Sequence, residues 1–191
     1  GPRVWLGDGK AQWRPASDGL PHPLLGGIYQ RLTVADLDAD GRLDLVVANE
    51  INGIQVFLQQ ANGSWRTTPD PFPALLGGAR SVAVGDLNGD GHLDLVVGGT
   101  LTQEPTATRG LFVLLGDGQG NWKEAREVGL PTSGLNEVYG IALADIDGDG
   151  RMDIVATTND DKATIARRGA ADEGGATQPN LAGIQVWLNR K

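Results

Sequence analysis

Short apolar runs recur along the whole chain, alternating or nearly continuous, and none keeps a 3.6-residue period for long. "QRLTVADL", "LDLVVAN" and "IQVFLQ" are six to eight residues each, rich in Val, Ile and Leu and bounded by Gly, Asp and Asn clusters. Such a pattern predicts short strands, because β-branched side chains pack on a pleated surface while Gly, Asn and Asp adopt turn conformations. No run approaches the roughly 20 apolar residues of a membrane-crossing helix.

The runs return in a fixed order. "VADLDADGRLDLVVAN" at 34–49, "VAVGDLNGDGHLDLVVGG" at 82–99 and "IALADIDGDGRMDIVATT" at 141–158 share one frame: apolar alternation, D-x-[DN]-x-D-G-x-x-D, then an apolar run. A second element follows each, in "IQVFLQQANGSW" at 54–65, "LFVLLGDGQGNW" at 111–122 and a shortened "IQVWLNRK" at 184–191, and a further copy, "RVWLGDGKAQW", opens the chain at 3–13. These read as hairpins. Pro- and Gly-rich stretches, "LPHPLLGG", "FPALLGG" and "LPTSGLNEVYG", connect one unit to the next.

Each unit is therefore four strands, A to D, placed in the second unit near 80–86, 93–98, 111–116 and 121–127. A four-stranded repeat of about 50 residues suits β-propeller blades, which bury both faces only when stacked side by side. The fold class is all-β, with about three and a half blades: a partial blade at 1–20, blades at 28–73 and 79–131, and one at 139–191 lacking its last strand. Closed rings have about four to eight blades. The rest of the ring then lies outside this chain, or a partner chain completes the propeller; the first strand D could also finish the last blade, leaving one strand C surplus.

Composition sharpens this. The chain has 191 residues, no Cys and a formal charge of −8, which excludes disulfides and thiolate chemistry and argues against nucleic-acid binding. The acid is concentrated: the three loops hold eleven of the 24 Asp and Glu, leaving thirteen against 16 Lys and Arg. The Gly-Pro-Arg start, without Met or an apolar leader, reads as a processed or excised chain.

Like charges at such spacing call for a cation. In D-x-D-x-D-G-x-x-D, oxygens at positions 1, 3 and 5 converge in a tight turn, Gly at position 6 permits the bend, and position 7 offers its carbonyl; hard oxygen ligands favour Ca²⁺. The candidate ligands are Asp36, Asp38, Asp40, the Arg42 carbonyl and Asp44; Asp86, Asn88, Asp90, the His92 carbonyl and Asp94; and Asp145, Asp147, Asp149, the Arg151 carbonyl and Asp153. An EF-hand ends its loop with a bidentate Glu at position 12, where this chain has Val47, Val97 and Ala156. Asp at position 9 is expected to close the shell instead. Asn88 removes one charge from the middle loop and predicts the weakest of three Ca²⁺ sites.

With these loops between strands A and B, the chain resembles the FG-GAP or VCBS repeats of integrin-α-type β-propellers. The resemblance spans nearly the whole chain; "LLGGIY" and "LLGGAR" stand where the Phe-Gly and Gly-Ala-Pro signatures fall. It implies a calcium-bearing propeller, extracellular or periplasmic, serving in adhesion, in protein or carbohydrate recognition, or as an accessory domain of a larger secreted protein.

In an antiparallel meander alternate connections lie at opposite ends of the strands, so the acidic loops share a rim with the C-to-D turns. The long B-to-C connections, 98–110 and 158–183, fall on the other rim, where Arg109, Arg167 and Arg168 are candidate partner contacts. Trp13, Trp65 and Trp122 are repeat-equivalent, as are Trp5 and Trp187, which favours packing over a sugar-stacking lectin role. Asn62-Gly63-Ser64 reads as a hairpin turn rather than a glycosylation acceptor. No G-x-S-x-G, His-rich cluster or phosphate loop occurs, and the two His do not suggest catalysis. A non-enzymatic scaffold binding a protein or glycan is expected, with an accessory domain or subunit of a larger secreted enzyme or permanent assembly, or a lectin, as alternatives.

Overall fold

A computed structural model describes the chain apart from residues 22–26, 73–77, 102–107, 127, 131–134, 136, 159–182 and 190–191. Among the described residues all regular structure is β. The strands are β1 (Trp5–Gly7), β2 (Trp13–Pro15), β3 (Tyr29–Ala35), β4 (Asp44–Asn49), β5 (Gly53–Gln59), β6 (Trp65–Thr67), β7 (Ser81–Gly85), β8 (Asp94–Leu101), β9 (Thr108–Gly116), β10 (Trp122–Ala125), β11 (Val138–Ala144), β12 (Asp153–Thr158) and β13 (Gly183–Trp187).

They form four antiparallel meanders: a β1–β2 ribbon, two four-stranded sheets β3–β4–β5–β6 and β7–β8–β9–β10, and a three-stranded sheet β11–β12–β13. The last three are numbered blades 1 to 3 below. Equivalent positions carry equivalent pairs: Leu45 opposes Phe57, Leu95 opposes Leu114, and Ile154 opposes Trp187. β7 contacts both β3 and β11, so the first strands of the blades line a common inner edge.

Alternation along each strand divides its side chains between two neighbours. Val46, Ala48, Ile54, Val56 and Leu58 of blade 1 pack on Val82, Leu95, Val97, Phe112 and Leu114 of blade 2, with the tilted Phe72 and Phe112 rings 5.4 Å apart. Val96, Leu111 and Val113, on the opposite face of blade 2, meet Val138, Ile154 and Ala156 of blade 3. Because both faces of these blades are buried, strands such as β4 and β8 read as unbroken apolar runs. Each fully buried Val or Leu contributes about 1.5–3 kcal/mol, so the seams between blades hold the molecule together.

One connection differs from its sequence reading. Residues 98–101 and 108–110 belong to the ladder, which continues through Gly99↔Gly110 and Thr100↔Arg109 to Leu101↔Thr108. The glycines there look like turn residues but serve packing: a Cβ on Gly98 would lie 2.4 Å from Ser81 Oγ and 2.7 Å from Val138 Cβ. The 158–183 connection falls largely outside the described residues.

Candidate metal loops

Each acidic loop is folded by its own carboxylates. Asp36 accepts N–H bonds from Asp40 (3.0 Å) and Gly41 (2.9 Å). Asp86 accepts from Gly89 (2.7 Å) and Gly91 (2.9 Å), and Asp145 from Gly148 (2.7 Å), Asp149 (3.1 Å) and Gly150 (2.9 Å). Gly41, Gly91 and Gly150 have φ of 86°, 85° and 87°, a region that L side chains disfavour, which explains glycine at position 6. Position 4 also bends left: it is Gly89 and Gly148 in two loops but Ala39, at φ 57°, in the first.

The bend brings positions 1, 3 and 5 together. One carboxylate oxygen from each of Asp36, Asp38 and Asp40 lies within 4.8 Å of the others, and the same holds for Asp145, Asp147 and Asp149. The first cluster is partly shielded: Asp38 Oδ1 is buried without a hydrogen-bond partner, and burial, followed by the neighbouring Asp40 charge, raises the Asp38 pKa. In the middle loop Asn88 Nδ2 donates to Asp90 Oδ2 (2.8 Å). There the Asp90 pKa is lowered, first by the His92 N–H and then by the Asn88 amide.

Position 9 has a second task that sequence spacing did not reveal. Asp44, Asp94 and Asp153 are fully buried and staple the acidic loop to the third strand of their blade. Asp44 accepts from the N–H groups of Leu37 and Gln59 (both 2.8 Å), Asp94 from Leu87 (2.8 Å) and Gly116 (2.9 Å), and Asp153 from Ile146 (2.8 Å) and Asn189 (2.7 Å). None of the three belongs to the position 1, 3 and 5 clusters. Each carboxylate oxygen has two acceptor sites, so stapling leaves lone pairs available.

The side chains at position 7 also act. The Arg42 guanidinium pairs with Asp40 while its Nε donates to Gln59 O (2.9 Å); Arg151 likewise pairs with Asp149 and donates to Asn189 O (2.6 Å). In the middle loop His92 instead packs against Gly118 in the β9–β10 turn. These contacts put the acidic loops and the C-to-D turns on one rim.

Of the other candidates, Arg109 is exposed on β9, whereas Arg167 and Arg168 lie outside the described residues. Asn62 caps its own turn, accepting from Ser64 N (3.0 Å) and Oγ (2.7 Å). Trp65 is buried and Trp122 packs in the seam between blades 1 and 2, as recurrence predicts. Their counterpart Trp13 is exposed, as is Trp5.

Face-packed antiparallel blades sharing an inner edge define a β-propeller-type repeat protein. Residues 36–97 and 105–156 match the FG-GAP-like repeat, and the chain belongs to that family. No curated protein matches the chain significantly. Among the described residues no helix is long and apolar enough to cross a membrane.

Proposed function

We propose that the chain is a non-enzymatic, calcium-stabilised propeller scaffold, acting outside the cell or in the periplasm and presenting the rim opposite the acidic loops to a protein or glycan. The observation that carries the calcium reading is the first loop: three converging carboxylates around a buried, unpartnered Asp38 Oδ1. A buried acceptor without a donor costs roughly 1–3 kcal/mol, and an all-oxygen set of this kind fits a hard divalent cation. When bound, Ca²⁺ would supply positive charge that offsets the carboxylate repulsion.

The chain's own residues do the rest. Positions 1, 3 and 5 converge on the ion, the position 7 carbonyl is available to it, and the buried Asp at position 9 ties the loop to the sheet. Filling three sites would take the formal charge from −8 to −2. Calcium-loaded protein, verified by metal analysis, is expected to lose several degrees of melting temperature in EDTA; an unchanged melt would remove the structural role. A glycan array and pull-down with residues 160–180 deleted separate glycan from protein recognition. The second reading, a subunit of a permanent assembly, is favoured by the exposed apolar side chains on the outer faces of blades 1 and 3, Leu32 and Val34 on one and Ile184 and Val186 on the other.

A further inference from the structure

Trp122 fills the seam between blades 1 and 2. It packs in a cluster with Leu37, Val56, Leu58, Leu93, Leu95 and Leu114, and its Nε1–H donates to Leu93 O (3.1 Å). The next seam has the socket without the indole: a cavity of about 580 Å³ lined by Leu87, Val113, Leu115, Met152, Ile154 and Trp187. In the repeat frame these are, in the same order, the counterparts of those six residues. β13 borders this cavity and, among the described residues, pairs with β12 alone, whereas its counterparts β5 and β9 each carry a fourth strand.

The other end of the stack holds the missing piece. Trp13, the counterpart of Trp122, is 65% exposed on β2. Beside it, Leu32 is 51% exposed although its counterpart Val82 is only 8% exposed against blade 1. Leu32, Val34, Leu45, Trp5 and Trp65 line a groove of about 840 Å³. The far face of blade 3 is bare in a matching way: Ile184 is 72% exposed, while its counterpart Ile54, packed on blade 2, is 1% exposed. The outer faces of the first and last described blades thus each carry one half of a seam that the interior shows complete.

We propose that two copies of the chain join head to tail through these halves. The β11–β12–β13 sheet of one copy seats on blade 1 of the other, Ile184 and Val186 entering the groove at Leu32 and Val34. The second copy's β2 becomes the fourth strand beside β13, and its Trp13 enters the cavity next to Trp187.

β1 gives way in this arrangement. It occupies the third-strand place and carries the same Val-Trp-Leu triplet, residues 4–6, that β13 brings at 186–188. Its ladder with β2 has three residue pairs, and Trp5 and Leu6 are exposed; what detachment gives up besides is the packing of Val4 on blade 1 and its bonds to Ser17 and Ala16, which Val186 in the same repeat position restores, and two-stranded ribbons are marginal in water. Exchange of one strand for its equivalent is a low-cost route to association. Trp65 holds the following segment in place, its N–H on Asp18 O (2.8 Å) and its Nε1–H on Ala16 O (2.8 Å), so β2 stays beside blade 1 to receive the incoming sheet. Made at both junctions, the exchange lets the described blades of two chains close a ring of six, two whole and one composite from each, within the range of about four to eight that propellers adopt.

Light scattering is expected to give the mass of two chains. Trp13→Ala should weaken association at least tenfold, with the single-chain melting temperature unchanged because that side chain is exposed. In the composite sheet Arg14 falls opposite Leu188, as Lys123 falls opposite Leu115 and Arg66 opposite Leu58. Since the chain has no Cys, a mixture of Arg14→Cys and Leu188→Cys chains should oxidise to a disulfide heterodimer. A single-chain mass at every attainable concentration would overturn the proposal, as would a dimer that neither forms this crosslink nor responds to Trp13→Ala.

Discussion

Asp44, Asp94 and Asp153 occupy one position of the repeat and accept the same two kinds of backbone N–H bond, yet their pKa values move in opposite directions. Burial dominates at Asp44 and Asp94 and raises them. At Asp153 the N–H bonds from Asn189 and Ile146 win and lower it, in keeping with a blade of three described strands that places fewer atoms around the carboxylate. The consequences differ in sign. A raised folded pKa means that the native state binds the proton more tightly, so the contribution of Asp44 and Asp94 to stability grows as pH falls from the raised value toward the unfolded one. The contribution of Asp153 is present above its unfolded pKa and is lost as pH falls through its depressed folded value. In calcium-free protein, carboxyl carbon NMR should show Asp44 and Asp94 protonating before Asp153. At position 3, Asn88→Asp should give the middle loop a third converging carboxylate and strengthen its calcium binding by roughly tenfold, read by calorimetry; an unchanged affinity would mean that Asn88 does not set the weakness of that site.

At the scale of elements, glycine in a strand shows how composition can mislead. Gly98→Val should destabilise the protein by about 1–3 kcal/mol through overpacking, because the new side chain meets Ser81 on the neighbouring strand β7 and Val138 across the seam between blades 2 and 3; a denaturant titration reads the loss. That seam explains which parts of the fold the sequence made legible. Strands β4, β8 and β12 were readable because each follows an Asp-Gly loop and runs apolar on both faces, and positions 1, 3 and 5 of those loops were readable because their ligands are neighbours in the chain. The continuation of β8 through Gly98 and Gly99 was not, since local composition signals a turn and the glycine at 98 is accounted for by the approach of Ser81 on β7 and Val138 on β11. Nor was the stapling by Asp44, whose partner Gln59 N–H arrives from another strand. Arg42 and Arg151 were read for their carbonyls, and the bonds that their Nε–H groups donate to Gln59 O and Asn189 O emerge only once the third strand ends beside the loop.

On the scale of the whole molecule, the two rims are built differently. The acidic loops sit on one, each stapled within its own blade, with one bond across a seam, from Asn189 Nδ2 of blade 3 to Leu87 O of the middle loop (2.8 Å). On the other, Arg80 enters blade 2 with its guanidinium paired to Glu50 from blade 1 and to Glu137 beside blade 3 (3.1 Å), and it lies 5.4 Å from the centre of the Tyr139 ring. Arg31 of β3 also reaches Tyr139 O (3.3 Å). One cation therefore touches all three blades where their connections converge, and its half-buried setting shields these pairs from salt more than an exposed bridge would be. Pulled apart, blades 1 and 2 would part first along the carboxylate side and swing about Arg80 as pages turn on a spine.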